Sequence, residues 1–353
     1  MPERPGEFEL IRALLAGRLQ GEGVIVGPGD DAAVLRPREG LDLVVTTDTF
    51  VEGRHFRRDL LSPEQVGSRL AAANLSDLAA MAAVPRWGLI ALAVPAAWDA
   101  AHVVALERAC AQALEAQGVA MVGGNLTATD GPLDATVTLI GDVAQDAHWT
   151  RAGARPGDVL AVTGHPGRAA AMLALALWGN PPSLERVPAA LRESFVVPPC
   201  RVKTALALAA LSTVAGGRSV HACIDVSDGL VGDLAHLCRA SGVGATITAW
   251  PDDPELWRAA REISTLVSGE RAAVLPASAA GILEHLRLSP GDDYELLLAI
   301  DPARFDECMA AAAGEGTALF AIGEITAATG SRLRRADGTE QSLPDRGYDH
   351  FAS

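Results

Sequence analysis

Six aspartates in this chain stand where carboxylates can do chemistry: Asp30, Asp31, Asp48, Asp77, Asp225 and Asp228. Asp30 and Asp31 are adjacent in GPGDDAAV. Asp48 lies in VVTTDTFVEGRHF (44–56), where the apolar Val44 and Val45 give way to Thr46, Thr47 and Asp48. Glu52, Arg54 and His55 then follow around Gly53. A buried strand that ends in hydroxyls and a carboxylate, then enters a polar loop, is how α/β proteins commonly present a ligand site. Asn74 and Asp77 belong to NLSDLAAM, and Asp225, Ser227 and Asp228 to DVSDGL. Gathered carboxylates repel one another, and their pKa values rise. A hard cation removes that cost, because Mg²⁺ shares oxygen ligands among carboxylates, water and phosphate. Such a set therefore suits an anionic nucleotide with metal ions as intermediaries. A single acidic turn has a plainer reading, since Asp favours turns for local hydrogen-bonding reasons.

The composition removes several alternatives. Lys203 is the single lysine against 28 arginines, and it sits in Arg-Val-Lys-Thr with no glycine before it. That excludes a P-loop, and the Val-Ala-Ile-Lys strand of protein kinases is absent too. Nucleotide phosphates must then be neutralised by metal ions and arginine. The net charge is −15 with no basic block, which argues against nucleic acid as a partner. Aromatic residues, at 4%, are too few for the stacking surface expected around a glycosidase carboxylate pair. Calcium loops of the D-x-D-x-D-G type are missing. Cysteines 110, 200, 223, 238 and 308 form no C-x-x-C, so neither a disulfide framework nor a zinc site is expected. MPERPGEFEL lacks a signal pattern and no apolar run reaches membrane-spanning length, which reads as a cytoplasmic protein with no membrane partner.

These residues need elements to position them. Apolar spacing predicts helices over 7–19, 99–118, 167–178, 200–211 and 302–313. Ser62-Pro63-Glu64-Gln65 is a capping box that opens a helix running to about Ala83. Asn74, Asp77 and Met81 share one face of it, and a polar patch in an Ala/Leu-rich helix needs a partner unless it faces solvent. Strands are expected at 41–50, 88–95, 119–132, 135–144, 289–300 and 319–325, with strand, acidic turn and helix over 222–242. Prolines 181, 182, 198 and 199 mark a loop. The alternation indicates an α/β (α+β) chain of two domains, 1–147 and 148–353.

In order along nearly the whole chain stand GDDAAV, TTDTFVEGRHF, NLSDLAAM, GGN, TRAGARPGD, VTG, DVSDGL, GDDYELL and the terminal GYDHF. This ordered set closely resembles the thiamine-monophosphate kinases, of the superfamily that includes aminoimidazole ribonucleotide synthetase. The resemblance implies an N-terminal ATP-binding domain whose sheet pairs with that of a second subunit, hence a homodimer. It implies ATP and thiamine monophosphate as substrates and several Mg²⁺ ions. The implied metal ligands are Asp30, Asp31, Thr46, Thr47, Asp48, Asp77, Asn125, Asp225 and Asp228. Gly124, Asn125, Arg151 and Ser227 would meet ATP, and His55, Asp292 and Tyr348 the thiamine phosphate. Asp48, Asp77 and Arg151 would carry the catalytic load, in a direct in-line transfer.

Three departures bear on the acceptor. Asn125 stands where the family often has Asp, Pro290 interrupts the usual Ser-Gly-Gly run, and 262–288 is longer than expected. They keep two rivals in view: another ATP-dependent member of the superfamily, and a non-catalytic nucleotide-binding paralogue.

Overall fold

β-Branched runs and Ala/Leu-rich helices divide the chain as the alternation requires. In this computed structural model the described residues are 7–15, 17, 21–178, 183–215, 217–266, 275–289, 291–345 and 347. The chain forms two compact units, Met1–Leu78 with Ala83–His148, and Ala79–Ala82 with Trp149–Ser353.

The first unit begins with helix α1 (Glu7–Leu15) and a short antiparallel pair, β1 (Val24–Val26) and β2 (Val34–Leu35). The long strand β3 (Leu41–Val51) follows, then α2 (Pro63–Ala80), β4 (Val84–Pro95), α3 (Ala100–Glu115), β5 (Ala120–Thr129) and β6 (Asp134–Ala144). The main sheet runs β3-β6-β4-β5, with only the β4–β5 pair parallel, as expected for strands joined through α3. β3 is an edge strand paired with β6 over its whole length, from Leu41 opposite Ala144 to Val51 opposite Asp134. The expected capping box opens α2: the Ser62 N–H donates to Gln65 Oε1 at 2.9 Å and the Gln65 N–H to Ser62 Oγ at 3.3 Å. Val66, Leu70, Ala71 and Leu78 then bury the helix. At Gly67 α3 comes so close that an added Cβ would lie 2.0 Å from the Leu106 carbonyl oxygen.

The second unit is built on a seven-stranded sheet. In chain order it contains β7 (Val159–Thr163), α4 (Arg168–Trp178), a 3₁₀ turn at Leu184–Arg186, α5 (Ala189–Val196), α6 (Val202–Ala215), β8 (Val220–Val226) and α7 (Leu230–Ser241). Next come β9 (Gly244–Ile247), α8 (Pro254–Leu266), α9 (Ala279–Leu288), β10 (Glu295–Ile300), α10 (Phe305–Gly314), β11 (Leu319–Thr326), β12 (Gly330–Arg334) and β13 (Glu340–Ser342). The order is β13-β12-β9-β11-β7-β10-β8. β8 and β10 are buried at every residue, which is why both read as apolar runs apart from their functional ends and His221, whose Nδ1 lies 2.9 Å from Asp158 Oδ1. Leu160, Val162, Ile224, Leu297, Leu234 and Leu237 form the centre of this core.

The structure also holds elements that the sequence pattern did not announce. α5 and the 3₁₀ turn occupy the stretch read as a proline loop, and β9, β12 and β13 are short strands. Among the described residues, no helix is long and apolar enough to cross a membrane.

Candidate active site

The period of two along β3 sorts its side chains. Thr46 and Asp48 lie on one face, where α2 provides their partners. Thr46 Oγ1 donates to Asp77 Oδ2 at 2.5 Å, and the Asp48 backbone N–H donates to Asn74 Oδ1 at 3.2 Å. The polar stripe on α2 thus faces β3, and its solvent-facing alternative fails. Thr47 projects from the opposite face. Its hydroxyl donates to the Val137 carbonyl at 3.0 Å and lies 3.1 Å from Thr138 Oγ1. Thr47 can therefore serve an ion beside Asp48 only through its backbone.

His55 closes the loop after β3. Its Nδ1 accepts the Val51 N–H at 3.0 Å, so the neutral ring carries its proton on Nε2. The ring stacks on Phe50, with centroids 5.7 Å apart and planes 10° from parallel. One edge of His55 is thus fixed to backbone, which makes Nε2–H the donor of the neutral ring.

A second group assembles around a cavity of about 530 Å³. The turn carrying Asp30 and Asp31 lines it together with Gly124 and Asn125 of β5, against an apolar wall that includes Leu35, Leu92, Met121 and Leu126. The Asp31 N–H donates to Asp30 Oδ1 at 2.9 Å, which shapes the turn. A polar mouth on an apolar wall is suited to a small ligand with an anionic end and a flat body. The absent side chain at 124 has a structural cause: a Cβ there would lie 2.0 Å from the Ile90 carbonyl oxygen of β4.

The second unit carries the remaining residues. Asp225 is buried at the end of β8, and Ser227 and Asp228 form the turn into α7. Asp233, in the first turn of α7, accepts the Ser227 N–H at 3.1 Å and the Asp228 N–H at 3.2 Å. Burial, with Asp225 and Asp228 adding to it, pushes the Asp233 carboxyl up to about 8. Sequence reasoning missed Asp233; its place five residues after Asp228, in the first turn of a helix, was the available signal. Arg151 is exposed, on a loop tied down by Ser241, whose hydroxyl donates to the Arg151 carbonyl at 2.9 Å and accepts the Ala154 N–H at 3.1 Å.

Asp292 and Tyr294 both have positive φ, +52° and +50°. This unusual backbone turns Asp293, between them, onto the start of α4. Its carboxylate accepts the Gly167 N–H at 2.8 Å and the Ala169 N–H at 3.2 Å. The Tyr294 N–H in turn donates to the Val226 carbonyl at 2.8 Å, tying the strap to the Asp225 turn. Asp293 was a second omission from the sequence reading. Pro290 and Tyr348 lie outside the described residues, as do 267–274 of the 262–288 stretch.

The donor set in both units is oxygen only, which fits Mg²⁺ rather than a softer metal. Among the described residues, no group of three or more His, Cys, Asp or Glu side chains is arranged to hold an ion by itself. Mg²⁺ ordinarily keeps waters and substrate phosphates as ligands, so partial protein shells are what it requires.

Residues 29–143 match the N-terminal domain of the AIR synthase related proteins, and residues 155–335 match their C-terminal domain. That places the chain in a class of two-domain proteins. Within this class it is 34% identical to the thiamine-monophosphate kinase of Escherichia coli K12, covering 99% of both chains. The crystal structure of thiamine-monophosphate kinase from Stenotrophomonas maltophilia K279a superposes with a TM-score of 0.73 at 31% identity, covering 94% of this chain and 95% of that one. AaThiL complexed with AMPPCP and TMP gives 0.69 at 26% identity, covering 98% and 97%. The chain belongs to the thiamine-monophosphate kinase family.

The buried Asp293 makes a test of the strap. Burial, partly offset by the Gly167 and Ala169 N–H groups, raises its carboxyl from 3.8 to about 7, with Glu295 and Asp292 adding to the rise. Between those values the native state keeps a proton that the unfolded chain has lost. Its contribution is therefore complete below about pH 4 and declines as pH rises through about 7. Asp293→Asn cannot ionise, so urea denaturation should show it gaining on the wild type, by a few kcal/mol as an order of magnitude, from about pH 5 to about pH 8. Parallel pH profiles would contradict the assignment.

Proposed function

We propose that this chain transfers the γ-phosphoryl group of ATP to thiamine monophosphate, giving thiamine diphosphate and ADP. The observation that carries the reading is the acidic platform of β3 and α2, in a chain that a thiamine-monophosphate kinase matches over 99% of its length. The nucleophile is a phosphate oxygen that is already anionic, so no strong general base is needed. The chain's task is alignment and charge.

Asp30, Asp31, Thr46, Thr47, Asp48, Asp77, Asn125, Asp225 and Asp228 are the residues proposed to hold Mg²⁺. When bound, Mg²⁺ supplies neutralisation of the phosphates that lysine supplies in P-loop enzymes. Asn125 offers one uncharged oxygen in place of a carboxylate, which weakens its share. Gly124 and Asn125 line the cavity assigned to ATP, Ser227 meets the nucleotide, and Arg151 offsets charge on the transferring group. His55, whose neutral ring offers Nε2–H, and Asp292 and Tyr348 are the residues proposed to meet the thiamine phosphate.

An end-point assay with ATP, Mg²⁺ and thiamine monophosphate, separating thiamine diphosphate by chromatography, tests this reading. Product should form with the wild type. Asp48→Asn should lower turnover by about two orders of magnitude or more, because several kcal/mol of charge stabilisation is removed. A folded, ATP-binding protein that makes no thiamine diphosphate would favour another acceptor or the non-catalytic paralogue.

The chain is further proposed to work as a homodimer joined through the first unit's sheet. β3 presents a long free edge, and Leu43 and Val45 on it are 49% and 62% exposed. Apolar residues on an open edge strand call for a partner. Sedimentation equilibrium should give twice the chain mass, falling to a monomer for Val45→Glu; a monomeric wild type would refute the dimer.

A further inference from the structure

Asn74 was singled out by its place on α2, yet no part of the reaction uses its side chain. It is wholly buried, three residues before Asp77. Its amide is committed in both directions. Nδ2 donates to the Leu70 carbonyl at 2.9 Å, and Oδ1 accepts the Asp48 N–H at 3.2 Å. The first bond turns the amide back along its own helix and fixes its orientation. The second reaches the edge strand β3, where a side chain supplies an acceptor from outside the sheet.

A parallel bond lies one helical turn on, where Thr46 Oγ1 donates to Asp77 Oδ2 at 2.5 Å. Residues two apart on the strand are therefore fastened to residues three apart on the helix. The spacing matches the two periods, so both bonds lie on one interface. β6 holds the other edge of β3 along its whole length, and the Asn74 bond fixes the Asp48 backbone on the α2 side. Asparagine suits this position because it is neutral and bifunctional. An aspartate could accept the Asp48 N–H, but it would lose the bond to Leu70 and put a buried charge beside two carboxylates.

We propose that Asn74 is a positioning residue: it holds the Asp48 backbone against α2 so that Asp48 and Asp77 keep one geometry for a divalent cation. The inference rests on the reading of these two carboxylates as metal ligands, and it is independent of the phosphate acceptor. Groups that orient metal ligands commonly cost 10–100-fold in affinity, as a rough range, when removed.

Mn²⁺ titration of the full chain with AMPPCP present, followed by the EPR signal of free Mn²⁺, tests the inference without turnover. Asn74→Ala should weaken Mn²⁺ binding by about tenfold or more, with its circular dichroism unchanged. Asp48→Asn serves as the reference for a lost ligand. Should Asn74→Ala fail to fold, Asn74→Ser carries the same comparison with a smaller cavity and a retained hydroxyl. Unchanged Mn²⁺ affinity in a folded variant would overturn the positioning role. A wild type that binds no Mn²⁺ would overturn it together with the metal platform. Weakened Mn²⁺ binding in a protein that makes no thiamine diphosphate would leave the positioning role standing and sink only the choice of acceptor.

Discussion

Carboxylates held close together repel, and each unit of this protein sets its acidic groups in place with neutral hydrogen-bonding partners. On the first unit the Thr46 hydroxyl donates to Asp77, and the Asn74 amide anchors the Asp48 backbone. On the second, the backbone N–H groups of Ser227 and Asp228 converge on Asp233. These bonds hold the acidic groups in place without cancelling their charge. Burial first, and then the neighbouring Asp225 and Asp228, raise the Asp233 carboxyl to about 8 in spite of the two N–H groups. With a single lysine in the chain, the counter-charge must come from outside the protein or from arginine. The proposal of a metal-dependent nucleotide site rests on that constraint more than on any one motif.

Much of this was legible in the sequence because it rests on local rules. The step from Val44 and Val45 to Thr46, Thr47 and Asp48 marked the functional strand, since β-branched residues favour strands, although β3 is a half-exposed edge strand and not the buried one expected. Ser62 and Gln65 marked the start of α2 through side-chain chemistry that acts over three residues. What escaped depends on partners distant in sequence. Asn74 gained its meaning only when β3 came against α2. Asp293 looked like one more acidic residue in a turn, and its role depends on α4 beginning 125 residues earlier at Arg168 and on the positive φ of its two neighbours. The strands β9, β12 and β13 were missed because three to five residues carry too little periodicity to be read alone.

The glycine pair at 123–124 shows how a functional expectation and a packing cause can coincide. Read from the sequence, it allowed backbone to approach a ligand. In the fold, Gly124 is required by the Ile90 carbonyl of the neighbouring strand, whatever the cavity holds. An added side chain at 124 would meet the Ile90 carbonyl, whereas the adjacent Asn125 carries its side chain exposed on β5.

The central claim is that metal ions, and not protein cations alone, make this acidic surface a nucleotide site. The most direct test is the melting temperature of the wild type with ATP, measured with Mg²⁺ and again with EDTA. A ligand that binds only the native state raises the melting temperature in proportion to its affinity. The account predicts a clear rise with ATP and Mg²⁺ together and little or none with ATP in EDTA. Equal stabilisation by ATP in both conditions would mean that arginine and backbone suffice, and would contradict it.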